Sequence, residues 1–430
     1  MITRRYFVTS TALTLFSVGF LPGFLRRCSA ALAEGSPRAG RRRVLVVVFM
    51  RGAVDGLNVV VPHGDAYYYA ARPGIAVARP GGSSLRSAAN EAAALDLDGY
   101  FGFHPRLSSL KALFDARELA VVHAVGSPDN TRSHFDAQDY MESATPGVKS
   151  TPDGWLNRYL QLGHAAAPTP FRGVAVVQRA PRSLQGAAPT LVLDDIASFH
   201  LGPRGGRAPQ AEAYSAEVER MYASTKDALL AASAREMFQA IRELDRVEAD
   251  AAPLVAGAEY PRGPLGKSLG EVATLIKAGV GLEIAFVEVG GWDHHVNEGS
   301  VDGQLARNLE PFASALAAFR EDLGNRMEDV LLLTMSEFGR TVHENGNRGT
   351  DHGHGNVMLA FGSGVRGGKV YGSWPGLRSS VLFEGRDLAV TTDFRDVLAE
   401  VLVRHLGCAD AAPVFPGYRI SRDRSLGYLA

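Results

Sequence analysis

The sequence predicts an α/β fold in which a mostly parallel sheet is sandwiched between helices, and two observations predict it. Short runs of β-branched and aliphatic residues recur with few polar interruptions, the pattern of strands buried on both faces. Stretches with apolar residues at helical spacing separate these runs, so strand and helix alternate along the chain. A length of 430 residues, 46% hydrophobic and 21% charged, suffices for one large core and excludes a disordered, collagen-like or coiled-coil chain.

The first run, over 43–50, reads Arg-Val-Leu-Val-Val-Val-Phe-Met, and further strands are predicted over 119–125, 173–177, 190–193, 282–289, 329–334 and 357–362. Each is short and bounded by glycine, proline or charge. Helices are predicted over 105–116, 155–162, 265–278, 305–323 and 388–405. The stretch 209–250 differs, being rich in Ala, Glu, Arg and Leu with no glycine or proline after Pro209. It reads as one long helix or a helical hairpin inserted beside the sheet. Residues 72–98 and 196–208 are rich in Gly, Pro, Ser and Ala and predict surface loops. No internal repeat or linker divides the chain, so 34–430 is expected to be one domain carrying the helical insertion.

Residues 1–33 have the three parts of an export signal: Arg4 and Arg5, an apolar stretch over 9–25, and the small-residue site Ala31-Leu32-Ala33. The run Thr3-Arg4-Arg5-Tyr6-Phe7-Val8 is similar to a twin-arginine signal, which implies the twin-arginine export machinery as a partner and a periplasmic or secreted destination. The apolar stretch is shorter than the roughly 20 residues of a spanning helix. Pro22 and Gly23 also interrupt it, so a cleaved signal is favoured over a retained anchor, and no stable membrane span is expected after cleavage. Cleavage after Ala33 would remove four arginines and no acid, leaving 397 residues with 41 basic against 46 acidic side chains.

The whole chain carries a net charge of −1 and no strongly basic run after Arg43, so nucleic acid is not an expected partner. Two cysteines, Cys28 and Cys408, exclude a disulfide framework and thiolate-rich metal sites. A bound metal would sit on oxygen and nitrogen.

In open α/β sheets ligands bind beyond the carboxyl ends of strands. Three predicted strands lead into acids there: Asp55 after the first, Asp293 with His294 and His295 after 282–289, and Glu337 after 329–334. A fourth group, Asp351-His352-Gly353-His354, precedes the strand at 357. Five of the twelve histidines (294, 295, 343, 352 and 354) fall within 294–354, where even spacing would place about 1.7. Carboxylates mixed with imidazoles suit Zn, Mn or Fe better than Ca, which prefers oxygen alone. One or two such divalent ions could clamp the attacking and leaving oxygens of a displacement at phosphorus. A lone acid after a strand is also a common helix cap, which is the competing expectation for Asp55.

Ser133 stands where a helix begins, in the run Thr131-Arg132-Ser133-His134-Phe135-Asp136. An N-cap explains it; a helix amino terminus also favours an alkoxide, so Ser133, with Thr131 as a rival hydroxyl, is a candidate nucleophile. His134 or Arg132 would then bind the anion.

Taken together, Arg51-Gly52-Ala53-Val54-Asp55-Gly56-Leu57-Asn58, Arg132-Ser133-His134-Phe135-Asp136-Ala137-Gln138, Gly291-Trp292-Asp293-His294-His295, Ser336-Glu337-Phe338-Gly339-Arg340-Thr341 and Gly349-Thr350-Asp351-His352-Gly353-His354-Gly355-Asn356 resemble the DUF1501 family of exported bacterial proteins. That family resembles distant members of the alkaline phosphatase and sulfatase superfamily. The resemblance implies an alkaline-phosphatase-like sheet with metal positions at the strand ends and hydrolysis of phosphate or sulfate esters. It matches Asp55, Asp293 with His295, and Glu337 to metal-ligand positions, has His352 or His354 supply a late histidine with Asp351 or His352 replacing a lost ligand, and puts Ser133 in the nucleophile segment; Asp55, Asp293, His295, Glu337, Asp351, His352 and His354 are thus the expected ligand set. Phe338 stands where the superfamily has a histidine, and the sulfatase signature is absent around 127–133. A formylglycine sulfatase is thereby disfavoured, and so is a serine-triad esterase, because no Gly-x-Ser-x-Gly elbow follows a strand.

The expected function is an exported metal-dependent hydrolase of phosphate or sulfate esters, acting on an anionic small-molecule or polymer substrate. The alternative is a non-catalytic metal-binding envelope protein that uses the same fold for binding or assembly.

Overall fold

The computed structural model describes residues 43–81, 93–163, 169–197, 199, 208–225 and 227–430. The export segment at 1–33 lies outside the described residues, as do parts of the loops expected at 72–98 and 196–208.

A nine-stranded sheet forms the centre. Its strands are β1 (Val44–Met50), β2 (Leu119–Gly126), β3 (Gly173–Val176), β4 (Leu191–Leu193), β5 (Ile284–Val289), β6 (Val330–Met335), β7 (Asn356–Gly362), β8 (Lys369–Tyr371) and β9 (Thr392–Asp393). The order is β8-β2-β7-β6-β1-β5-β3-β4, with β9 beside β2. β7 is antiparallel to β2 and β6, and the other pairs are parallel. The fold is therefore the mostly parallel α/β sandwich that the alternation predicts.

β1 shows why continuous apolar runs mark these strands. Val44, Val46, Val48 and Met50 point into one hydrophobic core, while Leu45, Val47 and Phe49 point into the other. The first core is closed by helices Ala228–Ala249, Pro264–Ala278 and Gln304–Leu323, the second by Trp155–Gln161 and Phe394–Glu400. Both faces are covered, so neither tolerates a polar stripe.

The stretch 209–250 forms two helices, Ala208–Ala223 and Ala228–Ala249. The helix expected over 388–405 starts later, at Phe394, because Thr392–Asp393 pairs with β2 and the Asp393 carboxylate caps the helix through the Arg395 amide. Leu95–Asp96, inside an expected loop, joins Val60–Val61 and Gly102–Phe103 in a small antiparallel sheet. Strands of two residues are too short for periodicity to reveal. No helix among the described residues is long and apolar enough to cross a membrane.

The directions of the strands decide where chemistry can gather. β1, β2, β5 and β6 all end at one edge of the sheet, and antiparallel β7 begins there. Residues following the first four and preceding the fifth are thereby brought together.

Candidate metal centre

Each side chain of the site is aimed by local structure. After β5 the buried Trp292 donates its indole N–H to the Val289 carbonyl at 3.0 Å and packs its ring 5.8 Å from Phe312. With Trp292 held inward, Asp293 and His295 face outward. After β1 the chain turns at Gly52, whose φ of +116° suits glycine and where a Cβ would lie 2.8 Å from the Asp293 amide nitrogen. After β2, Ser133 caps the helix His134–Ser143 by accepting from the Asp136 amide. This puts His134 at the first helical position.

Three imidazole nitrogens and one carboxylate meet where these segments converge. His352 Nε2 lies 3.0 Å from His134 Nε2 and 2.9 Å from His295 Nε2. Asp293 Oδ1 is 3.0 Å from His295 Nε2 and 3.3 Å from His352 Nε2, and its Oδ2 is 3.6 Å from His134 Nε2. Zinc–nitrogen bonds of about 2.0–2.1 Å in a tetrahedron separate neighbouring donors by roughly 3.3 Å. His134, Asp293 and His352 offer atoms that all lie within 4.8 Å of one another, and the separations of 2.9 to 3.6 Å between neighbouring donors, with His295 reaching His352 and Asp293 from the exposed side, are close to that edge.

The proton positions sharpen the point. His134 Nδ1 donates to Glu337 Oε1 at 2.8 Å, His295 Nδ1 to Asp351 Oδ1 at 3.0 Å, and His352 Nδ1 to the Arg132 carbonyl at 2.8 Å. An imidazole whose Nδ1 carries the proton presents a lone pair at Nε2. Three lone pairs thus face one another beside a carboxylate, an arrangement that repels itself until a cation or a shared proton stands among them. Carboxylate and carbonyl partners behind ligating histidines are the usual support of a metal site.

The surrounding charges fit this reading. Burial pushes Asp293 up, but Arg340, hydrogen-bonded to it at 2.5 Å, outweighs this and brings its pKa down to about 2. The hydrogen bond to Glu337 raises His134, whereas burial lowers His352. Glu337 is buried yet held below the usual carboxylate range, because hydrogen bonds from His134, Gln138 at 2.9 Å and the Gly52 amide at 2.9 Å exceed the burial effect. The site is open on one side: the side chains of Asp293 and His295 are 45% and 41% exposed. Phe338, itself buried, closes another side with its ring 5.0 Å from that of His134 and 5.2 Å from that of His352.

The expected residues divide into three groups. Asp293, His295 and His352 present their donor atoms to the cluster, joined by His134, which sequence reasoning had placed as an anion binder. Glu337 and Asp351 lie behind the cluster, each fixing an imidazole through Nδ1 rather than offering a ligand atom. Asp55 and His354 are not brought to it. Both Asp55 oxygens accept from Arg72, and Oδ1 also caps the helix Gly56–Val59; the His354 ring stacks on Phe383 at 4.2 Å. His294 turns inward, where Asn308 lies 3.2 Å from its Nε2 and burial lowers its pKa to about 4. The Arg132 guanidinium is paired with Asp387 and Glu384, so only its carbonyl serves the cluster.

Arg340 is the residue sequence reasoning missed. Fully buried, it donates to the carbonyls of Ala53 at 2.6 Å, Gly52 at 2.5 Å, Thr350 at 3.1 Å and Trp292 at 3.3 Å as well as to Asp293. One guanidinium thereby ties together the turn after β1, the loop after β5 and the segment carrying His352. The only signal in the sequence was its place five residues past the end of β6.

Residues 42–415 match the family described as "protein of unknown function (DUF1501)", and the chain belongs to that family. No curated protein matches the chain. Among solved structures it is similar to a sulfatase from Pseudoalteromonas sp., at 12% identity and a TM-score of 0.41 over 96% of this chain and 76% of that one. A protein in the alkaline phosphatase superfamily from Vibrio parahaemolyticus is similar at 10% identity and a TM-score of 0.36, over 95% and 82% of the two chains. A lipoteichoic acid synthase from Listeria monocytogenes is similar at 10% identity and a TM-score of 0.33, over 80% and 73%.

Proposed function

We propose that this protein is an exported hydrolase of phosphate or sulfate esters that works with one divalent cation, Zn, Mn or Fe, held by His134, Asp293, His295 and His352. The observation that carries the proposal is the convergence of three imidazole lone pairs on one carboxylate, each imidazole fixed from behind. Nitrogen and oxygen donors in this ratio suit those ions. When bound, the cation supplies Lewis-acid polarisation of an anionic ester oxygen.

The chain's own groups supply the rest. The exposed side at Asp293 and His295 admits the ester. Arg340 keeps Asp293 ionised and pointed at the imidazoles. The Ser133 hydroxyl, next to His134 at the helix start, is the proposed nucleophile: its oxygen bonds to phosphorus or sulfur as the bond to the ester oxygen breaks, and its proton passes through solvent to that departing oxygen, which leaves as the alcohol. Water then cleaves the covalent ester of Ser133. Arg132, bound to Asp387 and Glu384, orders this segment rather than binding the anion.

A panel of phosphate monoesters, phosphate diesters and sulfate esters, offered to the metal-loaded protein, tests the proposal. Turnover is expected with at least one class. His352→Ala is expected to abolish turnover together with metal binding, and Ser133→Ala to abolish it with metal retained. Turnover unchanged in Ser133→Ala would assign the attack to water. Phe338 favours a second reading, a non-catalytic metal-binding protein, because its ring fills space beside His134 and His352. Bound metal without turnover of any ester would establish that reading.

A further inference from the structure

We propose that Gln138, oriented by Arg51, is a positioning residue of the metal centre: it holds the Glu337 carboxylate where that group turns His134 Nε2 toward the cation. The inference rests on the metal-centre reading above and extends it one contact outward, to the residue that fixes the group behind an imidazole.

His134 and Gln138 lie one turn apart in the helix His134–Ser143, so their side chains share a face. Both reach the same atom. Glu337 Oε1 accepts from His134 Nδ1 at 2.8 Å, from Gln138 Nε2 at 2.9 Å and from the Gly52 amide at 2.9 Å, while Oε2 accepts from the Ser336 hydroxyl at 2.9 Å. The Glu337 side chain is fully buried, so water does not freely replace a donor lost from it.

The direction of the Gln138 amide is set from its other end, where Oε1 accepts from Arg51 Nη1 at 3.0 Å. A guanidinium only donates and an ionised carboxylate only accepts, so a flipped amide would oppose N–H to N–H and oxygen to oxygen. Arg51 is anchored in turn. Its Nη1 lies 2.9 Å from Glu142 Oε1, its Nε donates to Glu288 Oε2 at 2.5 Å, and its guanidinium carbon sits 4.5 Å from the centre of the Phe49 ring. Glu142 is one turn beyond Gln138 on the same helix, and Glu288 belongs to β5. One cation thus ties the helix that carries His134 to the strand that leads to Asp293, and Gln138 passes that placement to the carboxylate behind the imidazole.

Competition with a zinc chelator, together with imidazole nitrogen NMR of the metal-free protein, tests the proposal. Gln138→Met, close in length and without the amide, is expected to bind zinc about tenfold more weakly. The His134 signal, assigned by its absence in His134→Asn, is expected to move in that variant from the Nδ1–H tautomer to a mixture of both tautomers. Gln138→Glu keeps the Arg51 contact, loses only the donor to Glu337, and is expected to weaken binding at least as much. Adding Gln138→Met to Glu337→Gln should cost about twofold or less beyond Glu337→Gln alone, because a residue that acts through Glu337 then has nothing to position. Wild-type affinity in Gln138→Glu, an unchanged His134 tautomer in Gln138→Met, or losses that multiply in the double variant would overturn this inference and leave the metal centre standing. Failure of the wild type to bind zinc would overturn both.

Discussion

Two aspartates, each just past a strand and each paired with a fully buried arginine, lead to different outcomes. Asp55 follows β1 and is held by Arg72 with its side chain 1% exposed; Asp293 follows β5 and is held by Arg340 with its side chain 45% exposed. Burial and the Asp55 charge push Glu298 well above the usual carboxylate range, while the Arg72 guanidinium outweighs burial and holds Asp55 below it. Asp293 meets three imidazole nitrogens whose protons point elsewhere. The first cluster is electrically closed, while the second turns imidazole lone pairs toward a carboxylate, an arrangement that a cation or a shared proton would complete. An aspartate beyond a strand with an arginine behind it is therefore no evidence of a metal by itself; the free lone pairs around it are.

The largest effect expected from this contrast is on stability. Arg72→Ala would strand a buried carboxylate and should cost about 3–5 kcal/mol in urea unfolding of the metal-free protein. A smaller loss would mean that the Asp55 cluster is not closed by Arg72. In the open cluster the order of effects reverses. His352→Ala should abolish metal binding, read by elemental analysis, while changing metal-free stability by about 1 kcal/mol or less, since it relieves facing lone pairs.

Weaker effects are expected behind the cluster. Glu337→Gln removes the carboxylate that fixes His134 and should weaken metal binding about 10–100-fold, measured by competition with a chelator. Asp351→Asn should lie at the lower end of that range, because the Asp351 side chain is 57% exposed and that of Glu337 is fully buried.

The pH dependences of the two clusters should also differ. Glu298 has a raised pKa in the fold, so its contribution to stability is full below the ordinary value of 4.5 and is lost as pH rises through the folded value. Glu298→Gln should flatten that decline in stability at high pH. His134 is also raised, so in metal-free protein its stabilising contribution is full below the ordinary value of 6.5 and is lost as pH rises through the folded value. The metal competes with that proton. Affinity should therefore strengthen as pH rises across this range, with proton release visible as a dependence of binding heat on buffer.

The fold was legible because each central strand is buried on both faces, which leaves an unbroken apolar run such as 44–50. The two-residue strands were not, since nothing periodic fits in two positions. In the site, Asp293, His295 and His352 stood out because imidazoles crowd one part of the chain. His134 stands far from them in sequence and joins them only because β2 ends at the same edge of the sheet as β5. Asp55 looked equivalent to Asp293 because sequence shows neither the burial nor the Arg72 that neutralises it. Arg340 was marked only by its place beyond a strand, since besides Asp293 its partners are backbone carbonyls that any residue could provide.

X-ray absorption at the metal edge, on protein loaded with Zn and compared with His352→Ala, tests the central claim most directly. A single ion per chain whose first shell contains three imidazole nitrogens and a carboxylate oxygen, lost in the variant, is the predicted result. A shell of oxygens alone, or an ion retained unchanged in His352→Ala, would contradict it.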